Sequence, residues 1–118
     1  MKTLIVGAST NQERYAHKAA VSLLAHGHEI ELVGQKEGTV EGNKIKTNYP
    51  DLEGIDTVTM YVSPQNQPPL YDYILNQNPR RIIFNPGTEN LEFEQLANDK
   101  GIDTEEACTL VLLATGQF

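Results

Sequence analysis

Residues 1–34 constrain the fold more than any other stretch of the chain. Thr3 to Val6 is a short apolar run that stops at Gly7, which reads as a buried parallel strand closed by a glycine turn. Ser9, Thr10 and Asn11 follow, all of them helix N-cap residue types. Thr10 with Glu13, and Ser9 with Gln12, have capping-box spacing, so the pattern predicts a helix starting here. Ala16, Ala19, Ala20, Leu23 and Leu24 recur on one helical face, and Gly27 closes the helix. Glu29 to Val33 is a second strand, ended by Gly34. Strand, helix and strand within roughly 30 residues form one βαβ unit.

The rest of the chain repeats this alternation. Gln35 to Asn48 is polar and reads as a loop with a minor strand near Ile45, and Tyr49 to Leu52 as a short helical turn. Thr57 to Val62 is a strong strand, rich in β-branched and aromatic residues. Ser63-Pro64 breaks it, and a helix begins near Pro68, with Leu70, Tyr73 and Ile74 inward. Arg81 to Phe84 is a strand ended by Asn85-Pro86-Gly87. Thr88 or Asn90 caps a helix to about Lys100, with Phe93, Leu96 and Ala97 inward and Gly101 at its end. Ile102 to Thr104 reads as a weak strand, and Ala107 to Thr115 as a final helix. The prediction is one α/β domain over residues 1–118, Rossmann-like, with about five mainly parallel strands and helices on both faces.

Charge narrows the partners. The formal net charge is −7, which opposes nucleic-acid backbones and anionic membrane surfaces. The doublet Arg80-Arg81 is too short to form a basic tract. A single cysteine, Cys108, cannot form an internal disulfide and favours a cytoplasmic setting. The apolar start of the chain is too short for a signal peptide, and no apolar run has the ~20 residues of a membrane span.

In a parallel sheet of this kind, ligands sit beyond the carboxyl ends of the strands, where the strand order reverses. The loops after Val6, Val33, Val62 and Phe84 are therefore the candidate site. The first loop carries Gly7, Ala8, Ser9, Asn11 and Arg14. Free backbone N–H groups at a helix start attract an anion, and Arg14 adds a charge-assisted contact. The alternative is that Ser9 and Thr10 only cap the helix and Arg14 faces solvent. The dinucleotide fingerprint G-x-G-x-x-G is absent, since only Gly7 of its three glycines is present. After the second strand comes Val33-Gly34-Gln35-Lys36, with a lysine where nicotinamide-nucleotide domains carry an acid. A lysine there suits an extra phosphate on the adenosine ribose, as in coenzyme A or NADP; otherwise it is a solvated loop lysine. Tyr61-Val62-Ser63-Pro64 would close over the ligand, or is ordinary strand termination, and Asn85 with Gly87 offers a further turn, or simply βα-turn chemistry.

Together these pieces resemble the stand-alone coenzyme A-binding domain proteins, similar to the N-terminal domain of the succinyl-CoA synthetase alpha chain. The resemblance rests on Leu4 to Ser9 with Asn11 and Arg14, on Val33 to Gly38, on Gly42 and Ile45, and on Ile55-Asp56 leading Val58 to Val62. Asn85 to Asn90 and Cys108 complete it. It spans essentially the whole chain. Two departures stand out: Gly34-Gln35 where family members often carry Asn-Pro, and a first loop without the second glycine of the synthetase version. The resemblance implies coenzyme A phosphates and adenosine on Ser9, Arg14 and Gly34 to Lys36, with Val62 to Pro64 beside the cofactor. It implies a ligand class and no reaction.

No catalytic set or metal site emerges from the residues. The synthetase's phosphorylated histidine belongs to a second domain that this chain does not contain. His17 lies near the predicted site, whereas His26 and His28 flank Gly27 at the far helix end, where His26 serves the helix terminus. Cys108 is open to two readings: a small core residue, or a thiol able to form a mixed disulfide with a thiol cofactor. The expected function is a coenzyme A or acyl-CoA binding module without self-contained catalysis. The alternatives are an NAD(P)-binding protein or dehydrogenase, and a homodimeric interaction protein using Thr109 to Ala114.

Overall fold

Leu4, Ile5 and Val6 are apolar toward both faces, and the fold uses both. A computed structural model describes residues 1–118. Strand β1 (Lys2–Val6) lies inside the sheet, parallel to β2 (Glu29–Val33) on one side and to β5 (Ile55–Met60) on the other. Leu4 and Val6 enter a core with Val58, Met60, Phe84 and Phe93, covered by α2 (Tyr71–Asn76) and α3 (Leu91–Asp99). Ile5 enters a second core with Ala16, Leu23, Leu32 and Ile45, under α1 (Tyr15–Ala25) and α4 (Thr109–Ala114). Helices on both faces follow from strands that are apolar on both faces.

The sheet has seven strands rather than about five, in the order β3-β4-β2-β1-β5-β6-β7. Strand β6 spans Arg81–Phe84 as expected, and β7 spans Asp103–Glu106. The additional strands are β3 (Gly38–Val40) and β4 (Asn43–Lys46), an antiparallel hairpin in the stretch read as a loop. Glu41 and Gly42, with φ of 49° and 79°, make its two-residue turn, the geometry of a primed hairpin turn. Both strands are too short and polar to show a period of their own. Strand β4 pairs parallel with β2 through Leu32↔Ile45 and Val33↔Lys46, and that contact orders it.

Several local expectations are corrected. Helix α1 starts at Tyr15, not at the Ser9–Asn11 cap types. Ser9 Oγ accepts from the Asn11 N–H (3.0 Å), and Asn11 Oδ1 accepts from the Glu13 N–H (3.0 Å). These polar side chains fold the loop into local turns, which compete with capping. Arg14 becomes the N-cap residue, without a side-chain cap. Tyr49 to Leu52 forms no helical turn. The strand read as Thr57 to Val62 runs two residues earlier, and the prolines delay α2 behind two 3₁₀ turns, Pro64–Asn66 and Pro68–Leu70. Leu96 is exposed, because α3 buries only the Phe93 and Ala97 face. In α4, Thr109, Leu112 and Leu113 are buried within the chain and Val111 is left exposed. No helix is long and apolar enough to cross a membrane.

Candidate functional site

The strand order reverses about β1: the chain leaves it toward β2 and returns to its other side as β5. Loops leaving these neighbouring strands in opposite directions open a crevice at their carboxyl ends. A cleft of about 850 Å³ lies there. One wall is the first loop with the start of α1 (Gly7 to Thr10, Arg14 to Ala16). A second is Gly34 to Lys36, and a third runs from Tyr61 to Leu70, with Tyr49 at the side.

The backbone brings these walls together. Val33 is buried, and its carbonyl accepts from the N–H groups of Gly7 (3.0 Å) and Ala8 (2.9 Å), tying the first loop to β2. Gly7 has φ of 93°, and a β-carbon there would stand 2.9 Å from the Tyr61 carbonyl oxygen, so a side chain would push the first and third walls apart. A carbonyl only accepts, so His17 Nδ1 donates to the Ser9 carbonyl at 3.1 Å. His17 thus braces the loop from behind and does not line the cleft.

On the wall formed by the first loop and the start of α1, the backbone N–H groups of Ser9, Thr10, Tyr15 and Ala16 have no acceptor within the protein. Two of them belong to the first turn of α1, where the helix dipole adds positive potential. Arg14 and Lys36 are the charged residues of the lining, and no Asp or Glu lines it. The chain holds 16 acidic residues against 9 Lys and Arg, so a wholly basic cleft runs against its overall charge. Lys46, Arg80 and Arg81 pair with Glu31, Asp56 and Glu105, whereas Arg14 and Lys36 have no carboxylate at ion-pair distance. Tyr61 closes the floor, and burial pushes its hydroxyl up to about 12, with Thr59 and Thr109 beside it.

Of the residues singled out from sequence, the cleft gathers Gly7, Ala8, Ser9, Arg14, Gly34, Gln35, Lys36, Val62 and Ser63. The other five lie outside its lining. Asn11 is exposed in the first loop's turns and Val33 is the anchor beneath it. Pro64 starts a 3₁₀ turn. Gly87 donates to Glu89 Oε1 at 2.9 Å. Asn85 is buried: its Nδ2 donates to Thr59 Oγ1 (2.7 Å) and the Met60 carbonyl (2.9 Å), and its Oδ1 accepts from the Thr109 N–H (2.8 Å). It clamps β5, β6 and α4. Cys108 is a free, half-buried thiol at the N-cap of α4.

Tyr61, at the start of the loop expected to close over the ligand, also lines the cleft, whereas sequence reasoning missed Thr10, Tyr15, Ala16, Tyr49, Gln65, Asn66, Pro69 and Leu70 as lining residues. Tyr15 abuts Arg14, which the sequence does single out. Tyr49 had no local signal, because only the pairing of β4 with β2 brings it here. Buried Gln67 holds the third wall: its Nε2 donates to the carbonyls of Val62 (2.9 Å) and Thr88 (2.8 Å).

The family model described as "CoA binding domain" matches residues 1–114. A crystal structure of an uncharacterized protein is 51% identical, covering 99% of this chain and 97% of its own, with a TM-score of 0.98. A Thermus thermophilus protein superposes with a TM-score of 0.86 at 19% identity, covering 99% and 90% of the two chains. A hypothetical protein from Pyrococcus horikoshii OT3 does so with a TM-score of 0.83 at 24% identity, covering 92% and 78%. The latter two likenesses speak for the fold alone. No curated protein matches the chain.

Proposed function

We propose that this chain, which belongs to the CoA binding domain family, holds coenzyme A or an acyl-CoA in the cleft at the switch point. The observation that carries the reading is the charge of the lining: two unpaired cations, unpaired N–H donors on the first loop and at the start of α1, and no acid, in a chain of net charge −7. The N–H groups of Ser9, Thr10, Tyr15 and Ala16, with Arg14, suit the pyrophosphate. Lys36, beyond β2, suits the phosphate on the ribose. The protein works as a binding module that keeps or delivers the cofactor.

A thermal-shift panel with coenzyme A, dephospho-CoA, NAD and NADP tests this. A ligand at a hundred times its Kd stabilises a fold by about 2.7 kcal/mol, a rise of several degrees for a domain of this size. The expected order is coenzyme A above dephospho-CoA, with NAD flat. A rise with NADP and none with coenzyme A would move the assignment to a nicotinamide nucleotide, and a flat panel would remove the cofactor reading altogether.

A further inference from the structure

Three non-glycine residues have positive φ: Glu41, Tyr49 and Asn78. Glu41 sits in the β3–β4 hairpin turn, and Asn78 lies just past the end of α2, where a left-handed residue commonly stops a helix. Tyr49, with φ of 47°, belongs to neither kind of turn. A bulky residue in this region is an outlier that persists only where its surroundings hold it. Here the ring meets Tyr73 edge-on (5.4 Å between centroids, 82° between planes), and Tyr73 Oη donates to the Pro50 carbonyl at 2.8 Å. Tyr49 is half-buried and is one of the residues that line the cleft.

Its position relates it to Lys36. The last β2–β4 pair is Val33↔Lys46. Lys36 and Tyr49 each lie three residues past that pair, in the segments that leave two adjacent parallel strands at the same end, and both line the same cleft. The proposed function assigns Lys36 to the phosphate of the adenosine ribose, and the flat group attached to that ribose is the base. Val62, Pro69 and Leu70 supply apolar lining to the same cleft. Resting on that reading, we propose that Tyr49 is a specificity-determining residue, the ring against which the ligand's purine base packs. Aromatic faces hold nucleobases by stacking.

The test measures calorimetric affinity for coenzyme A and for adenosine 3′,5′-bisphosphate, the nucleotide half alone. It compares the unchanged protein with Tyr49→Phe and Tyr49→Gly. Glycine accepts φ of 47° without strain, so the thermal midpoint of Tyr49→Gly verifies that the fold is retained. The expected result is a loss of about tenfold for both ligands in Tyr49→Gly, the scale of one base–aromatic stack, and little change in Tyr49→Phe. Unchanged affinity in Tyr49→Gly, or a loss for coenzyme A without one for the bisphosphate, would overturn the assignment. Failure of the unchanged protein to bind coenzyme A would instead overturn the cofactor reading on which it rests.

Discussion

At Gly34 a β-carbon would stand 2.7 Å from the Ala8 carbonyl oxygen and 3.2 Å from Ile45 Cγ2. The obstacle is backbone on one side, so it cannot swing away as a side chain would. Gly34→Ala is expected to lower stability by about 1–3 kcal/mol, read from the urea midpoint at constant slope. The binding residues obey a different energetics. Arg14 and Lys36 reach no protein carboxylate, so removing either leaves no buried charge behind and costs the fold little. Arg14→Ala is expected to weaken coenzyme A binding by about 1–3 kcal/mol, the worth of a hydrogen bond to a charged group. Lys36→Ala should weaken coenzyme A and spare dephospho-CoA. Equal calorimetric affinities for the variants and the parent would remove these residues from the site.

At the scale of elements, some ends were legible and others were not, for a physical reason. The sequence offers Thr88 or Asn90 as the cap of α3, and the fold uses Asn90, whose Oδ1 accepts from the Phe93 N–H at 3.1 Å. Its Nδ2 also donates to Gln67 Oε1 (3.0 Å) and Tyr71 Oη (2.8 Å). The cap therefore also fastens α3 to the third cleft wall. Asn90→Ala should cost about 1–2 kcal/mol, and thermal unfolding should show a loss at the upper end of that range if the links to Gln67 and Tyr71 count. The α1 start failed because Ser9 and Asn11 spend the same cap chemistry on turns. Identical residue types satisfy either geometry, and only the surrounding loop decides between them.

Across the whole molecule, acid stability should be set partly by Asp56. The Arg80 hydrogen bond holds this carboxyl below its ordinary value of 3.8, with Thr57 assisting against a desolvation that pulls the other way. Arg80 Nε and Nη2 each reach a different carboxylate oxygen at 3.1 Å. The folded chain then binds the proton less readily than the unfolded one. The stabilisation is complete above the unfolded pKa and disappears as pH falls through the lower, folded value. Asp56→Asn should flatten the dependence of the unfolding midpoint on pH below about 4, while leaving its slope near neutrality unchanged. An unaltered acid limb would show that the pair at the start of β5 contributes nothing.

Short-range chemistry was readable along the chain. Apolar runs closed by glycine or Asn-Pro-Gly mark β1 and β6, an apolar alternation ending at Gly34 marks β2, and a 3.6-residue period marks α1. The alternation of the two determined an α/β domain whose ligand lies beyond the strand ends. Those features depend on neighbours a few residues apart, so the sequence alone decides them. Tertiary structure decided what depends on partners far along the chain. The pairing of β4 with β2 turns a polar stretch into strands and carries Tyr49 to the cleft. The close approach of Gly7 to Tyr61 sets one wall against another. Asn85, read as a ligand contact, is drawn inward because Thr59, Met60 and Thr109 offer its amide a full set of partners. A buried amide must be satisfied wherever the fold allows, and only the folded chain shows where that is.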